Sequence, residues 1–254
     1  MKIISYNLNG IRAAMDKGLC DWLSNENPDI LCIQETKAQP EQIDESSFNT
    51  LEYECYWFSA QKKGYSGTGI LTKQTPDHVE YGMGIKKYDD EGRLIRADFK
   101  DVSVISVYHP SGTSGDERQD FKMQWLEDFS SYIETLRKTR NKLIINGDFN
   151  ICRLWIDINK PEKHETMSGF LPEERQWFQR FIDLGYVDSY RQFNNQTDQY
   201  SWWSYRGGAR AKNLGWRIDY NIVTQNLASN LKNAFILPQV VHSDHCPVGI
   251  EIEL

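Results

Sequence analysis

Short apolar runs rich in β-branched residues recur along this chain of 254 residues, and longer amphipathic stretches separate them. This alternation predicts an α/β fold, because each buried strand needs a second layer of structure to cover it. The predicted strands are Lys2–Tyr6, Asp29–Gln34, Tyr56–Ala60, Thr68–Thr72, Leu94–Phe99, Val102–Tyr108, Lys142–Ile145, Ser201–Tyr205, Arg217–Val223 and Val248–Glu253.

Two of the amphipathic stretches predict long helices. From about Glu117 to Lys138 the apolar side chains recur at the spacing of one helix face, and Asp116 is the predicted N-cap. A second helix is predicted to begin near Pro172 and to end near Leu184, with two glutamates at the positive end of its dipole.

The strands on either side of Lys100 and Asp101 predict a hairpin, so the sheet cannot be purely parallel. We therefore expect a mixed, two-layered sheet with helices outside it. No repeat, low-complexity tract or Pro/Gly/Ser-rich linker marks a boundary within residues 1–254. A single domain is the preferred arrangement.

The formal net charge of −7 argues against a protein that coats nucleic acid non-specifically. A phosphate-bearing partner must therefore meet a local basic patch or a bound cation. The five cysteines are widely spaced and form no C-x-x-C pair, which predicts a reducing compartment and no structural zinc. The apolar run at the N-terminus is too short for a signal peptide, and no stretch is long enough to span a membrane. We expect a cytoplasmic protein with no membrane partner.

Polar side chains follow many of the apolar runs directly. The ends of strands hold functional groups rigidly at the edge of a sheet, so these side chains are candidates for one common site. They are Asn7, Glu35, Tyr108, Asp148, Asn150, Asp219, Asp244 and His245.

Most of these groups are carboxylate or carboxamide oxygens, accompanied by one imidazole. Hard oxygen ligands suit Mg²⁺ or Mn²⁺, whereas zinc or a redox metal would call for more Cys and His. A cation would also remove the repulsion between clustered carboxylates. Such a set can hydrolyse phosphodiesters, with a carboxylate and an imidazole positioning and deprotonating water.

Each residue taken alone also fits a purely structural role. Asn7 followed by Asn9 and Gly10 fits a strand-to-helix turn. Glu35 fits a solvated loop acid, and His245 fits a hydrogen-bonded structural histidine. The functional interpretation depends on all of these side chains meeting in space.

Taken together, these residues lie within motifs that resemble those of the exonuclease III family of DNA-repair enzymes. This family comprises abasic-site (AP) endonucleases and 3′-exonucleases of the wider DNase I-like superfamily. The resemblance extends in order over essentially the whole chain. The motifs are SYNLNGIRA (Ser5–Ala13), LCIQETK (Leu31–Lys37), KKGYSGTGI (Lys62–Ile70), EGRLIRADF (Glu91–Phe99), VYHPSG (Val107–Gly112), NGDFNI (Asn146–Ile151), SGFLPEER (Ser168–Arg175), NLGWRIDY (Asn213–Tyr220) and HSDHCP (His242–Pro247).

The resemblance implies a four-layered α/β sandwich, in which two mixed β-sheets pack face to face with helices outside. It also implies one catalytic Mg²⁺ or Mn²⁺ ion. The implied reaction is hydrolysis of double-stranded DNA on the 5′ side of an abasic site, or removal of nucleotides or blocking groups from damaged 3′ ends. A monomer is expected, since the enzyme must clamp a duplex.

The resemblance further implies roles for the residues at the strand ends. Glu35 would be the principal metal ligand, with Asn7, Asp148, Asn150 and Asp244 completing the set.

Asp148 would also orient or deprotonate the attacking water, with Asn150 beside it. His245 would contact the scissile phosphate, with its tautomer fixed by Asp219. Tyr108 would reach the phosphate or the leaving oxygen. Which of Asp148, Tyr108 and His245 is the general base stays open.

One segment is locally basic, although the chain as a whole carries a net negative charge. Between Tyr200 and Arg217 there are four basic residues and no acid, interleaved with Trp. A solvated basic loop is the alternative interpretation. By resemblance, Trp202, Trp216 and Ile218 would line a small apolar pocket for a flipped-out abasic sugar. The predicted phosphate-contacting rim comprises Arg12, Lys37, Lys62, Lys63, Arg93, Arg206, Arg210, Lys212 and Arg217.

The chain departs from the family pattern between Asn150 and Ser168. Asparagines in this part of the family contact DNA phosphates, and a methionine cannot donate a comparable hydrogen bond. The departures leave open the balance of AP-endonuclease, 3′-exonuclease and 3′-phosphatase activities. They are Arg153, Lys160, His164 and Met167.

Two other functions remain open from the sequence. One is a DNase I-like phosphoesterase that acts on a non-DNA phosphate substrate. The other is a catalytically weakened homologue that only binds DNA. The GWRIDY segment and the Trp-containing basic loop favour a DNA substrate.

Overall fold

Two six-stranded β-sheets form the centre of the computed structural model, which describes residues 1–254. The strands are β1 (Lys2–Asn7), β2 (Ile30–Gln34), β3 (Glu54–Phe58), β4 (Thr68–Thr72), β5 (His78–Tyr81), β6 (Leu94–Phe99), β7 (Val102–Tyr108), β8 (Lys142–Asp148), β9 (Tyr186–Asp188), β10 (Trp202–Trp203), β11 (Gly215–Trp216), β12 (Asp219–Thr224), β13 (Leu231–Ile236) and β14 (Val248–Ile252).

Seven α-helices accompany the sheets, and none combines the length and apolar character needed to cross a membrane. Short 3₁₀ turns occur in the connecting loops, among them Trp155–Asp157 and Arg206–Gly208. The helices are α1 (Ile11–Asp16), α2 (Leu19–Glu26), α3 (Ser46–Asn49), α4 (Lys86–Asp89), α5 (Asp116–Arg137), α6 (Pro172–Asp183) and α7 (Ser189–Phe193).

The strand order is β13-β14-β1-β2-β4-β3 in the first sheet and β5-β6-β7-β8-β12-β9 in the second, with β10 and β11 forming a separate pair. Strands β1 and β2 are parallel, as are β7 and β8, and the other neighbours are antiparallel. Both sheets are therefore mixed, as predicted.

The two sheets pack face to face over a shared apolar core. Ile3 and Ile30 of the first sheet belong to the same buried cluster as Val104 and Ile144 of the second. This core excludes water between the sheets and fixes their separation.

Helices cover the outer face of each sheet. Trp125 of α5 and Trp177 of α6 are buried in one cluster with Ile145 of β8, while Leu23 of α2 is buried in another with Ile4 of β1. The resulting order is helices, sheet, sheet, helices. The expectation of a four-layered α/β sandwich is confirmed.

Three edge strands, β5, β9 and β13, fall outside the predicted set. Most residues of β5 are at least partly exposed, so no apolar run marks it, and β13 contains a register shift between Leu231 and Asn233. Edge strands pair on one side only and carry more polar residues, which weakens their sequence signal.

Several predicted boundaries are wrong by a few residues. The strand predicted at Ser201–Tyr205 is only two residues long, and the one predicted from Arg217 begins at Asp219. Helix α5 begins at Asp116, so the N-cap is Gly115, which has positive φ and provides no side-chain cap. Glycine has no Cβ and adopts this conformation without steric cost.

Five strand termini meet at one rim of the sandwich. Because β1 and β2 are parallel, and β7 and β8 are parallel, the carboxyl ends of each pair lie together, and antiparallel β12 begins beside β8. Just below the rim, Ser5 Oγ donates to Gln34 Oε1 (3.2 Å), and Gln34 Nε2 donates to Ser106 Oγ across the sheets (3.0 Å). These buried bonds fix the two sheets relative to each other where the polar residues converge.

Candidate active site

The strand register sets three predicted site residues side by side. Tyr108 on β7 pairs with Asp148 on β8, and Asp148 pairs with Asp219 on β12. Side chains directly across adjacent strands project from the same face of the sheet. The first sheet contributes Asn7 at the end of β1 and Glu35 immediately after β2.

Asn7 links the two sheets at this rim. Its Nδ2 donates to Glu35 Oε1 and to Asp148 Oδ2, both at 2.9 Å, while its Oδ1 accepts from the Asn9 backbone N–H at 2.9 Å. The Asn9 contact fixes the orientation of the amide, because only the oxygen can accept. In this arrangement Asn7 holds the two carboxylates together through its N–H groups. Its side-chain oxygen accepts from Asn9 and is not turned toward a metal ion held by those carboxylates.

His245 is oriented by Asp219. Its Nδ1 donates to Asp219 Oδ2 at 2.9 Å, and its Nε2 lies 3.9 Å from Asp148 Oδ2. Burial alone would lower the pKa of His245, but the neighbouring carboxylates, led by Asp219, raise it to about 10. The imidazole therefore presents Nε2 to the rim as a hydrogen-bond donor.

Glu35, Asp148, Asp219 and His245 form what we call the acidic cluster. Ligand atoms of Glu35, Asp148 and His245 all lie within 4.8 Å of one another. Burial first, and the charge of Asp219 second, raise the pKa of Asp148 to about 8. Buried carboxylates repel one another, and a divalent cation offsets that repulsion. The donor set therefore fits a divalent metal.

Two residues predicted as metal ligands make other contacts. The Asp244 carboxylate accepts from Asn9 Nδ2 (2.9 Å) and from Trp202 Nε1 (3.0 Å), and it lies outside the close group of ligand atoms. Asn150 donates from its backbone N–H to Asp148 Oδ1 at 2.8 Å and from Nδ2 to the His109 carbonyl at 2.9 Å. Asn150 thus holds the Asp148 carboxylate in place.

Tyr108 lies beside the cluster, half-buried in the lining of the cavity described below. Burial and then the charge of Glu35 raise the pKa of Tyr108 well above its ordinary value. The guanidinium of Arg93 lies 4.8 Å from the centre of the Tyr108 ring, and its Nη1 donates to the Tyr108 carbonyl at 3.0 Å. The phenol is therefore held rigidly in its protonated form.

A cavity of about 280 Å³ opens next to the acidic cluster. The rings of Trp202 and Trp216 meet edge to face at 6.0 Å, and the two residues pair between β10 and β11. All three predicted pocket residues line this cavity. Its lining comprises Glu35, Tyr108, Ser111, Thr113, Asp148, Asn150, Met167, Ser168, Gly169, Trp202, Trp216, Ile218, Asp244 and His245.

Several of the predicted rim cations are exposed. These side chains are free to meet a phosphate backbone, while Lys37 is already paired with Glu35 Oε2 at 2.7 Å. The exposed residues are Arg12, Lys62, Lys63, Arg206 and Lys212.

Three other arginines of the predicted rim are engaged in contacts with the protein itself. The Arg93 side chain is 2% exposed and pairs with Glu91, and that of Arg217 is 1% exposed and pairs with Asp157. Arg210 donates to backbone carbonyls, including that of Ser243 at 2.9 Å. Buried guanidinium groups need partners for all their donors, and these partners come from the chain.

The departures from the family pattern have distinct positions. Arg153 turns inward and donates to Gln179 Oε1 at 3.1 Å, and Lys160 is exposed. The His164 ring lies 5.3 Å from that of Trp216, and Met167 lines the cavity while 45% exposed. None of the four belongs to the close group of ligand atoms.

Ser201 is part of the site, although the sequence did not indicate it. Its Oγ donates to Asp219 Oδ2 at 2.6 Å and accepts from the backbone N–H groups of Ile218 and Asp219, each at 3.1 Å. No local pattern distinguishes this serine from a loop serine. Its role follows only from the pairing of β10 with β11.

Known proteins are similar to this chain in sequence and in fold. The sequence profile of the Endonuclease/Exonuclease/phosphatase family matches residues 4–245. The chain is 44% identical over 256 residues to an exodeoxyribonuclease of Bacillus subtilis (strain 168), covering 100% of both chains. It superposes on an AP endonuclease from Archaeoglobus fulgidus with a TM-score of 0.92 at 30% identity, covering 100% of each. The 3′ phosphatase NExo from Neisseria, bound to product DNA hairpin, gives a TM-score of 0.92 at 31% identity, with 100% of each chain covered.

These matches span nearly the whole chain, and they agree with the two mixed sheets. The relatives confirm the resemblance to the exonuclease III type of enzyme. The chain belongs to the Endonuclease/Exonuclease/phosphatase family.

Proposed function

We propose that this protein is a Mg²⁺-dependent DNA-repair phosphodiesterase. It cleaves double-stranded DNA on the 5′ side of abasic sites, removes nucleotides or blocking groups from 3′ ends, or does both. The observation that carries the proposal is the position of the acidic cluster beside an apolar cavity walled by Trp202 and Trp216. Relatives named as exodeoxyribonuclease, AP endonuclease and 3′ phosphatase support it.

Glu35 and Asp148 would hold the metal, with Asn150 adjacent to Asp148. His245 lies close to both carboxylates but would not be a ligand, since it donates from Nδ1 to Asp219 and from Nε2 to the phosphate. Asn7 and Asp244 would join only if their side chains turned from their present partners. When bound, Mg²⁺ supplies positive charge that offsets the charge developing on the phosphate oxygens. Mn²⁺ has the same preference for oxygen ligands and is the natural substitute.

Three side chains would accept or donate protons and hydrogen bonds during the reaction. Asp148 is held by Asn7 and Asn150 and would accept the proton of the attacking water. His245 would donate from Nε2 to a phosphate oxygen, since Asp219 fixes Nδ1 as the other donor. Tyr108 keeps its proton, so it would donate to the phosphate or the leaving oxygen and would not serve as the base.

The cavity would select the substrate by size and polarity. An abasic sugar has no base and loses little stacking when it leaves the duplex, so it enters an apolar pocket at lower cost than a normal nucleotide. Arg12, Lys62 and Arg206 are exposed and would contact backbone phosphates. The paired tryptophans favour DNA over a non-DNA phosphoester. The complete acidic cluster disfavours a homologue that only binds DNA.

The deciding experiment uses an end-labelled duplex with one tetrahydrofuran abasic analogue, incubated with Mg²⁺ or with EDTA. A single cut on the 5′ side of the lesion, dependent on Mg²⁺, supports the proposal. An undamaged duplex with a recessed 3′ end is the matched substrate. If the second duplex is digested from its 3′ end and the abasic duplex is not cut, the protein is a 3′-exonuclease. If neither duplex is hydrolysed, the proposal is overturned.

We also propose that the protein acts as a monomer in the cytoplasm, at the nucleoid. One acidic cluster and one cavity occur in the same chain, so the site needs no residue from a second copy. Sedimentation of the protein at micromolar concentration, with and without a lesion duplex, tests this point.

A further inference from the structure

A buried ion pair lies behind the cavity and takes no part in the chemistry proposed above. Lys122 on α5 and Glu174 on α6 both have side chains that are 0% exposed, and Lys122 Nζ lies 2.6 Å from Glu174 Oε1. Burying two charges is costly, and an apolar pair of similar volume can be equally stable. The contacts of this pair therefore decide what it contributes.

Lys122 holds the turn that follows the catalytic carboxylate. Its Nζ donates to the Asn150 carbonyl at 2.8 Å, while the Asn150 N–H donates to Asp148 Oδ1 at 2.8 Å. Asn150 has a φ of 51°, a conformation that a side chain other than glycine adopts at some cost. Lys122 thus holds the carbonyl of a residue in the left-handed conformation, and the N–H of the same residue sets the position of Asp148.

Glu174 holds the wall of the cavity on the same side. Its Oε2 accepts from the backbone N–H groups of Gly169 (2.7 Å) and Leu171 (3.0 Å), and its Oε1 accepts from Ser168 Oγ (3.3 Å). Ser168 and Gly169 both line the cavity.

The wall and the turn are packed against each other at Gly169. A Cβ added at Gly169 would lie 2.8 Å from the Trp216 ring and 3.2 Å from the Asn150 carbonyl oxygen. The Cys152 N–H also donates to the Gly169 carbonyl at 2.8 Å. Movement of the wall would therefore displace both the pocket tryptophan and the turn at Asn150.

We propose that Lys122 and Glu174 are positioning residues, which hold the Asp148 carboxylate and the cavity wall at a fixed separation. The proposal rests on the proposed nuclease function, since that separation sets the distance between the bound sugar and the attacking water. Small misplacements of reacting groups reduce rates strongly even when substrate binding survives.

The test compares K122M, K122R and K122M/E174Q on the abasic duplex under steady-state conditions. In K122M/E174Q neither charge remains, and the Gln oxygen can still accept from Gly169 and Leu171 N–H. We expect this double variant to fold stably while its kcat falls by about 10- to 100-fold with KM changed less than about twofold. K122R keeps a donor for the Asn150 carbonyl and is expected to recover most of the rate.

A control variant separates positioning from general stability. Asp98 is another buried acid, paired with Arg96 and Arg140, at the end of β6 away from the rim. D98N is expected to lose stability but to keep its kcat at temperatures where it is folded. If K122M/E174Q is folded and turns over like wild type, or if D98N loses kcat to the same extent, the proposal is overturned.

Amide hydrogen exchange gives a readout that does not depend on activity. In K122M/E174Q, or in K122M should the double variant not fold, we expect altered exchange confined to residues 149–153 and 168–171. The hairpin of β6 and β7 serves as the internal reference. If wild type proves inactive on DNA, the proposed function fails while this localised change still supports the coupling. Uniform change, or none in these segments, overturns the coupling itself.

Discussion

Arg217 and Asp219, on either side of Ile218, belong to two clusters of buried charged residues. Only in the first cluster, which we call balanced, is every carboxylate paired with a guanidinium group. Arg217 donates twice to Asp157 (2.8 and 3.0 Å) and twice to Asp188 (3.1 and 2.6 Å). Asp219, two residues later, bonds through Oδ2, but its buried Oδ1 has no partner in the chain.

We call the first group the arginine cluster, which comprises Arg153, Arg191, Arg217, Asp157 and Asp188. Burial alone would raise the pKa of Asp188, but Arg217 and Arg153 lower it. In the acidic cluster the pKa of Asp148 rises to about 8 instead. Each carboxylate of the arginine cluster has its cation within the fold, whereas the acidic cluster still requires positive charge. The difference separates structural ionisable groups from functional ones.

The largest expected effect comes from removing charge from the balanced cluster. Arg217→Met leaves Asp157 and Asp188 buried without their main partner, which should cost about 3–5 kcal/mol of unfolding free energy. Arg206→Met is the matched control, because Arg206 is exposed in the same segment and its loss should cost less than about 0.5 kcal/mol. Urea unfolding measures both. Equal stabilities would show that the cluster is not structural.

The unbalanced cluster should respond in activity and hardly in stability. Asp148→Asn and His245→Ala are each expected to lower turnover on an abasic duplex by at least ~10²-fold, because a positioned proton acceptor or donor is lost. Binding to the uncut duplex should survive, and Asp148→Asn should lose little stability because it removes a repelled charge. Near-normal rates in both variants would refute the assigned roles.

Metal binding offers a third contrast between the clusters. Mg²⁺ should stabilise the wild type by about 2.7 kcal/mol when its concentration is about 100 times the dissociation constant. The stabilisation is measured as the increase in melting temperature on addition of Mg²⁺, and Glu35→Gln is expected to lose most of that increase. Asp101→Asn should retain it, since Asp101 is an exposed acid paired with Lys142 far from the rim. An equal shift in both variants would place the ion elsewhere.

The sequence predicted the acidic cluster better than the arginine cluster for a physical reason. Glu35 and Asp148 lie at the end of an apolar run and Asp219 lies at the start of one, so the pattern itself brings them to a sheet edge. Arg217 lies in a run of basic residues, and its partners Asp157 and Asp188 are 60 and 29 positions away. Nothing local indicates that it is buried.

The same reasoning explains which parts of the fold were predicted. Central strands such as β7 and β8 are rich in apolar residues and buried on both faces, and their positions follow directly from the sequence. Edge strands are defined by pairing with a neighbour and not by their own composition. The Lys122–Glu174 pair likewise joins two helices that only tertiary packing brings together.

The smallest expected effect is a difference in acid sensitivity. Asp188 has a folded-state pKa that its arginine partners lower, so its contribution to stability is complete above the unfolded value of about 3.9 and is lost as pH falls through the folded pKa. The pKa of Asp148 is raised in the folded state, so this carboxylate binds its proton more tightly in the folded state than in the unfolded state. Its protonation therefore stabilises the fold as the pH falls and opposes the loss that comes from Asp188. Urea unfolding of wild type, D188N and D148N between pH 7 and pH 2.5 measures the slopes. D188N should lose stability less steeply than wild type and D148N more steeply, and identical slopes would show that the two clusters do not differ in charge balance.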